Sequence, residues 1–207
     1  MAISALWISL KVGLLALLLM AATGTPLAWL LAKRRFWGSA VFESMLSLPL
    51  ILPPVVTGFA LLWLLAPSGP LGLNLLFRWQ AASVAAAVVA FPLFLRSARE
   101  AFEGVDPRLE QAARNLGASP WQGFWRLSLP LARRGLVAAS LLGFGRALGE
   151  FGATILVAGN IPGRTQTIPL AIFSLSQTSD LQAVWPLVGM ATVLAFILVF
   201  LADRLAR

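Results

Sequence analysis

EQAARNLGASPWQGFWRLSLP, Glu110 to Pro130, is a mixed and moderately charged stretch broken by Gly117, Pro120 and Gly123, in a chain that is almost wholly apolar on both sides of it. Just upstream, Asp106-Pro107 supplies a carboxylate for the N-cap and a proline for the first helical position. A helix is therefore predicted from Leu109 through Leu116. Gly117 should stop it, because glycine takes the left-handed conformation without a Cβ clash. Ser119-Pro120-Trp121-Gln122 reads as a second start: a serine cap, proline at the first position, and a glutamine placed to close a capping box. Beyond it Trp121, Phe124 and Trp125 fall on one helical face. Two short helices joined at a glycine are expected. Such a unit is either an interfacial loop with its tryptophans in the headgroups or a docking element for a groove on a partner.

The surroundings are lipid-like. Of 207 residues 59% are hydrophobic and 12% charged, with a mean hydropathy of +0.85; a soluble domain is nearer a quarter charged. There is no cysteine, hence no disulfide framework and no thiolate metal site. There is no histidine, the commonest metal ligand and general base. No phosphate-cradling G-x-x-x-x-G-K-[ST] run is present, so any nucleotide chemistry belongs to another chain. The net charge of +8 is explained by a bias of cations toward one side of a membrane, without nucleic acid.

A membrane span needs roughly 20 apolar residues. Val12–Ala32, Ser44–Ala66, Trp79–Leu95, Gly135–Gly159 and Leu181–Ala202 supply runs of 21, 23, 17, 25 and 22 residues. Allowing for the ends, five spans are expected at 10–32, 44–66, 79–97, 135–158 and 181–202, with a loop at 99–132. Met1–Lys11 lacks the basic start of a signal peptide and reads as the beginning of span one. Lys33, Arg34, Arg35, Arg96, Arg99, Arg108, Arg114, Arg126, Arg133, Arg134, Arg204 and Arg207 fall on one side of these spans, and only Arg78 and Arg164 on the other. That asymmetry places the N-terminus outside, and the C-terminus and the Glu110–Pro130 stretch in the cytoplasm.

Gln111-Ala112-Ala113, three residues, Gly117, nine residues, then Leu127-Ser128-Leu129-Pro130 resembles the "EAA" loop of ABC importer membrane subunits, E-A-A, three residues, G, nine residues, I-x-L-P. Gln111 replaces the glutamate, with Glu110 beside it, and Leu127 replaces isoleucine. Leu48–Leu62, LPLILPPVVTGFALL, is similar to the second span of the molybdate and sulfate permeases. Ala147–Phe173, ALGEFGATILVAGNIPGRTQTIPLAIF, is more similar to the molybdate branch. The resemblance implies an all-α, polytopic, five-span type I ABC importer permease forming a single domain over 1–207. It implies that Glu110, Gln111, Ala112, Ala113, Gly117, Leu127, Leu129 and Pro130 couple the chain to a separate ATPase subunit, present in two copies. It further implies a homodimer in the plasma membrane, an extracytoplasmic oxyanion-binding protein as donor, and molybdate, with tungstate, as cargo. No cofactor and no enzymatic activity are expected in this chain, ATP being used by the partner. The alternatives are a sulfate or thiosulfate permease of the same kind, an ion-coupled secondary transporter, or a membrane scaffold without transport. Two intramembrane charges and no histidine make a poor proton relay, which weighs against the secondary transporter.

Several residues carry readings of their own. Pro49, Pro53 and Pro54 remove backbone donors and should kink or break span two, either as plain structure or along a cavity. Arg146 and Glu150 stand four apart in span four. Each would cost about 2.5–3.5 kcal/mol near the bilayer centre, so neither should face lipid. They are either a pathway element or an interspan ion pair. Gly145 and Gly149 read as a close-packing pair. Pro162-Gly163 reads as an outer turn, with Asn160 and Arg164 as contacts for the binding protein, or as an ordinary loop. Lys11 reads as a snorkelling anchor.

Overall fold

A long apolar chain in lipid must satisfy its backbone internally, and helices do this within each segment. The computed structural model describes residues 2–33, 37–178 and 181–206, and among them every regular element is helical. In chain order these are α1 (Ala2–Lys33), α2 (Ser39–Ile51), α3 (Pro54–Leu65), α4 (Trp79–Glu103), α5 (Pro107–Asn115), α6 (Pro120–Gly123), α7 (Leu129–Leu148), α8 (Gly152–Ala158), α9 (Ile168–Ser176) and α10 (Trp185–Ala206). Among the described residues four helices are long and apolar enough to cross a membrane: Ala2–Lys33, Trp79–Glu103, Pro120–Leu148 and Gln182–Leu205. The pair α2 and α3, bent by 107° at its junction, is apolar and long enough to make a fifth if the two count as one broken span.

The core is built around α4, which packs against α1, α7, α8 and α2. Its inner face is alanine: Ala81, Ala82, Ala85, Ala86, Ala90 and Ala98 are buried. Without a hydrophobic drive between helices in lipid, small residues favour association because they let backbones approach and make dispersion contacts. Phe94 fills the space left where α1 carries Gly24 and α7 carries Gly143. A Cβ added to Gly24 would stand 2.7 Å from the Phe94 ring, and one added to Gly135 2.5 Å from the Ala101 Cβ. The lipid-like faces of α3 and α10 keep large apolar side chains exposed, among them Phe59, Trp63, Phe196 and Val199.

Several elements differ from the sequence expectations. The helix of span one starts at Ala2, ahead of the expected bound at residue 10 and in keeping with the reading of the first residues as its beginning. The second short helix after Gly117 is not a separate helix. It is the first turn of the span that follows, because a π-helical turn at Phe124–Ser128 joins α6 to α7 without a break. The expected loop 99–132 is correspondingly shorter, since α4 runs to Glu103 and the next spanning helix starts at Pro120. Span four is not continuous over 135–158: α7 ends at Leu148, and the chain resumes as α8 at Gly152. Gly149, expected as a packing glycine, is the C-cap of α7. Gly145 makes only ordinary contact, its Cβ position lying 3.5 Å from the end of the Leu198 side chain on α10. Arg34, Arg35 and Arg207, which entered the orientation reading, lie outside the described residues.

Candidate functional site

The loop between α4 and α7 is ordered by its own caps. The Asp106 carboxylate accepts from the Arg108 N–H at 2.9 Å, starting α5. At the other end Gly117 has φ +86°. Its N–H donates to Arg114 O at 2.9 Å and that of Ala118 to Ala113 O at 3.0 Å, so the last carbonyls of α5 are satisfied in a Schellman turn. The capping box follows at once: Gln122 N–H donates to Ser119 Oγ at 3.3 Å, and Ser119 N–H to Gln122 Oε1 at 2.9 Å. Three helix-end devices in seventeen residues, Asp106 to Gln122, leave little slack.

Glu110 clamps this unit to the bundle. Its carboxylate lies 3.2 Å from Lys33 Nζ at the end of α1, with side chains only 12% and 11% exposed, and it accepts from Ser128 Oγ at 2.8 Å. Lys33 also donates to the Val105 carbonyl. Phe124 is buried against Trp29 and Phe102, with ring centroids 5.1 and 6.1 Å away, so α1, α4 and the π-turn meet at one aromatic contact. Trp121 and Trp125 share that aromatic face and stay exposed.

The expected coupling residues thus divide. Glu110 turns inward; Leu127 and Leu129 are half-buried in the π-turn and the start of α7. Gln111, Ala112, Gly117 and Pro130 are exposed, Ala113 is half-buried, and Leu116 stands out at 89% exposure. Lys33, counted among the cations, and Ser128, inside the loop motif, were not expected as partners of Glu110. Lys33 is distant in the chain, and no spacing rule links it to Glu110.

A second set of residues lies where two spans are broken. Leu52-Pro53 separates α2 from α3, which Pro54 begins, and Gly149-Glu150-Phe151 separates α7 from α8. The two breaks abut: a Cβ on Gly152 would stand 2.9 Å from the Cβ of Pro54, and one on Gly58 2.7 Å from the Cα of Ala153. Glu150 is 2% exposed; Oε2 accepts from Arg146 Nη1 at 3.0 Å, and Oε1 from the Ala153 N–H at 2.9 Å. Arg146 sits in the last turn of α7 and Glu150 just before α8, so each charge also meets the helix end that favours it.

At the far end of the bundle, Gly163 at φ +73° closes a turn in which three N–H groups, of Arg164, Thr165 and Gln166, donate to the Ile161 carbonyl. Asn160 is used inside the chain on both sides of its amide, donating to Ser174 and accepting from Gln166. Arg164 is exposed, and with Lys11 and Arg78 it lines a cavity of about 430 Å³. Lys11 lies over the Trp7 ring at 5.1 Å.

This arrangement of helices is that of a type I ABC importer transmembrane subunit. A methionine ABC transporter, MetNI, solved in inward-facing conformations, superposes with a TM-score of 0.79 over 98% of this chain and 93% of its own, at 18% identity. The chain belongs to the family of binding-protein-dependent transport system inner membrane components, whose sequence model matches residues 24–207. The molybdenum transport system permease protein ModB of Escherichia coli (strain K12) is 47% identical over 182 residues, 84% of this chain and 80% of that one. ModB of Haemophilus influenzae is 45% identical, over 86% of this chain and 81% of its own. The sulfate transport system permease protein CysT of Escherichia coli (strain K12) is more distant, 33% identical over 88% of this chain and 68% of its own.

Proposed function

We propose that this chain is the membrane-spanning permease subunit of an ATP-driven importer that moves molybdate, and tungstate with it, from an extracytoplasmic binding protein into the cytoplasm. The observation that carries the reading is the α5–Gly117–Ser119 unit: a short helix, rigidly capped at both ends and clamped by Glu110 to α1 and to the root of a spanning helix. Such a unit transmits a push at its tip to the bundle. Its tip offers Gln111, Ala112 and Leu116 to a groove on an ATPase subunit, while Glu110 holds the lever in place. Two copies of the chain with two ATPase subunits complete the machine in this reading, and the cationic end faces the cytoplasm. ATP is hydrolysed by the partner. Arg164, with Lys11 and Arg78, is the face offered to the binding protein, and Asn160 shapes the loop that carries it. The choice of molybdate over sulfate follows the greater similarity to the molybdenum permease, 47% identical, than to the sulfate permease, 33% identical.

The test is uptake by the complex with its cognate binding protein in proteoliposomes. Labelled molybdate is expected to accumulate, tungstate of nearly the same size and charge to compete at comparable concentration, and sulfate only in large excess. Strong competition by sulfate with little by tungstate would move the cargo to the sulfate branch.

A further inference from the structure

The charged pair at the broken spans is asymmetric. Glu150 is enclosed and fully occupied, one oxygen taken by Arg146 and the other by the backbone of α8. Arg146 is 32% exposed, and among the described residues Glu150 is its one partner. It lies 12 residues beyond Arg134 on one helix, about 18 Å by helical rise. In a hydrocarbon core about 30 Å thick that is well inside the membrane. A guanidinium there does not face lipid.

Two further observations point to the same place. Both spans that meet here are interrupted, and interrupted helices at membrane depth are tolerated where they line a cavity or are buried in protein. The hydroxyls of Thr57 on α3 and Thr154 on α8 are buried without a hydrogen-bond partner, one residue from the close contact of Gly58 with Ala153. Buried hydroxyls left unpaired are uncommon in a settled core. They suit an interface that rearranges.

Resting on the reading of the chain as an oxyanion import permease, we propose that Arg146 is the group that touches the dianionic tetrahedral cargo inside the membrane, and that Glu150 is its positioning residue and the cap of α8. The planar guanidinium fork matches two oxygens of such an anion and is weakly hydrated, so it exchanges water for oxyanion readily. Glu150 holds one edge of the fork and leaves the pair neutral. Cargo is thereby drawn in without being trapped, as a passage site requires.

The chain has no cysteine, so Arg146→Cys introduces its only thiol. In the reconstituted complex with ATPase and binding protein, a water-soluble thiosulfonate should reach this thiol, and molybdate should slow the modification. Attaching an ethylammonium group should raise uptake about tenfold over the unmodified variant, and attaching a methyl group should not. A thiol untouched by water-soluble reagents, or rescue by the methyl group as large as by the ammonium, overturns the proposal. Arg146→Gln with Glu150→Gln keeps an acceptor for Ala153 and removes both charges. It should still co-purify with the ATPase and hydrolyse ATP in response to the loaded binding protein, yet lose uptake about tenfold. Normal uptake by the double variant overturns the proposal while the transport reading stands. Absence of uptake by the unaltered complex defeats the transport reading itself.

Discussion

Gly117 joins a geometric requirement to a functional one. At φ +86° it sits where a Cβ is strained, and no atom lies within 4 Å of where that Cβ would be. The cost of Gly117→Val is therefore one of backbone conformation, about 1–2 kcal/mol or more for a β-branched residue, with no clash to relieve. The variant is expected to insert normally in the membrane and to lose ATPase association or transport; full transport would show that the turn is not the lever's hinge point. Glu110 makes a different claim. A double-mutant cycle with Lys33→Ala should show a coupling of at least about 1 kcal/mol in the thermal unfolding of the detergent-solubilised protein, since removing one partner strands a mostly buried charge. Additive effects would mean that the clamp is not formed in the working protein. The turn at Gly117 could be read from its neighbours in the chain, because caps and left-handed glycines obey local rules. The clamp could not, because Lys33 and Glu110 are 77 positions apart and only the packing of α1 against α4 brings them together.

Breaks within the helices are what distinguish this bundle from five plain spans. The proline run Pro53-Pro54 announces one break through lost donors and ring clashes. The other, at Gly149–Phe151, lies within a long apolar run, and hydropathy alone carries the helix straight through it. The signal was present in Glu150, whose carboxylate caps α8, but a glutamate four residues from an arginine reads first as an ion pair. The π-turn at Phe124–Ser128 was equally hidden, since it adds no residue type of its own. Close approach of α3 to α8 is testable. Gly58→Ala would place a methyl 2.7 Å from the Ala153 Cα, a backbone atom that cannot swing away. It should destabilise by about 1–3 kcal/mol and reduce uptake. Gly145→Ala, at 3.5 Å from the end of a leucine side chain, should be tolerated. Equal melting temperatures for both variants and the unaltered protein would show that the broken spans are not packed as described.

For the molecule as a whole, orientation and energy source remain to be joined. The cations cluster at the end that carries the capped loop, which predicts that Leu116, at 89% exposure, faces the cytoplasm. In this cysteine-free chain Leu116→Cys is the thiol to use, because Ser119 is occupied as a cap. An impermeant reagent should label it only after the membrane is opened; labelling of intact cells would reverse the topology. The measurement that bears most directly on the account is uptake of labelled molybdate by proteoliposomes holding the permease and its binding protein, with and without the ATPase and ATP. Accumulation that requires both the ATPase and ATP is the predicted result. Uptake driven by a proton or sodium gradient in the absence of the ATPase would contradict it.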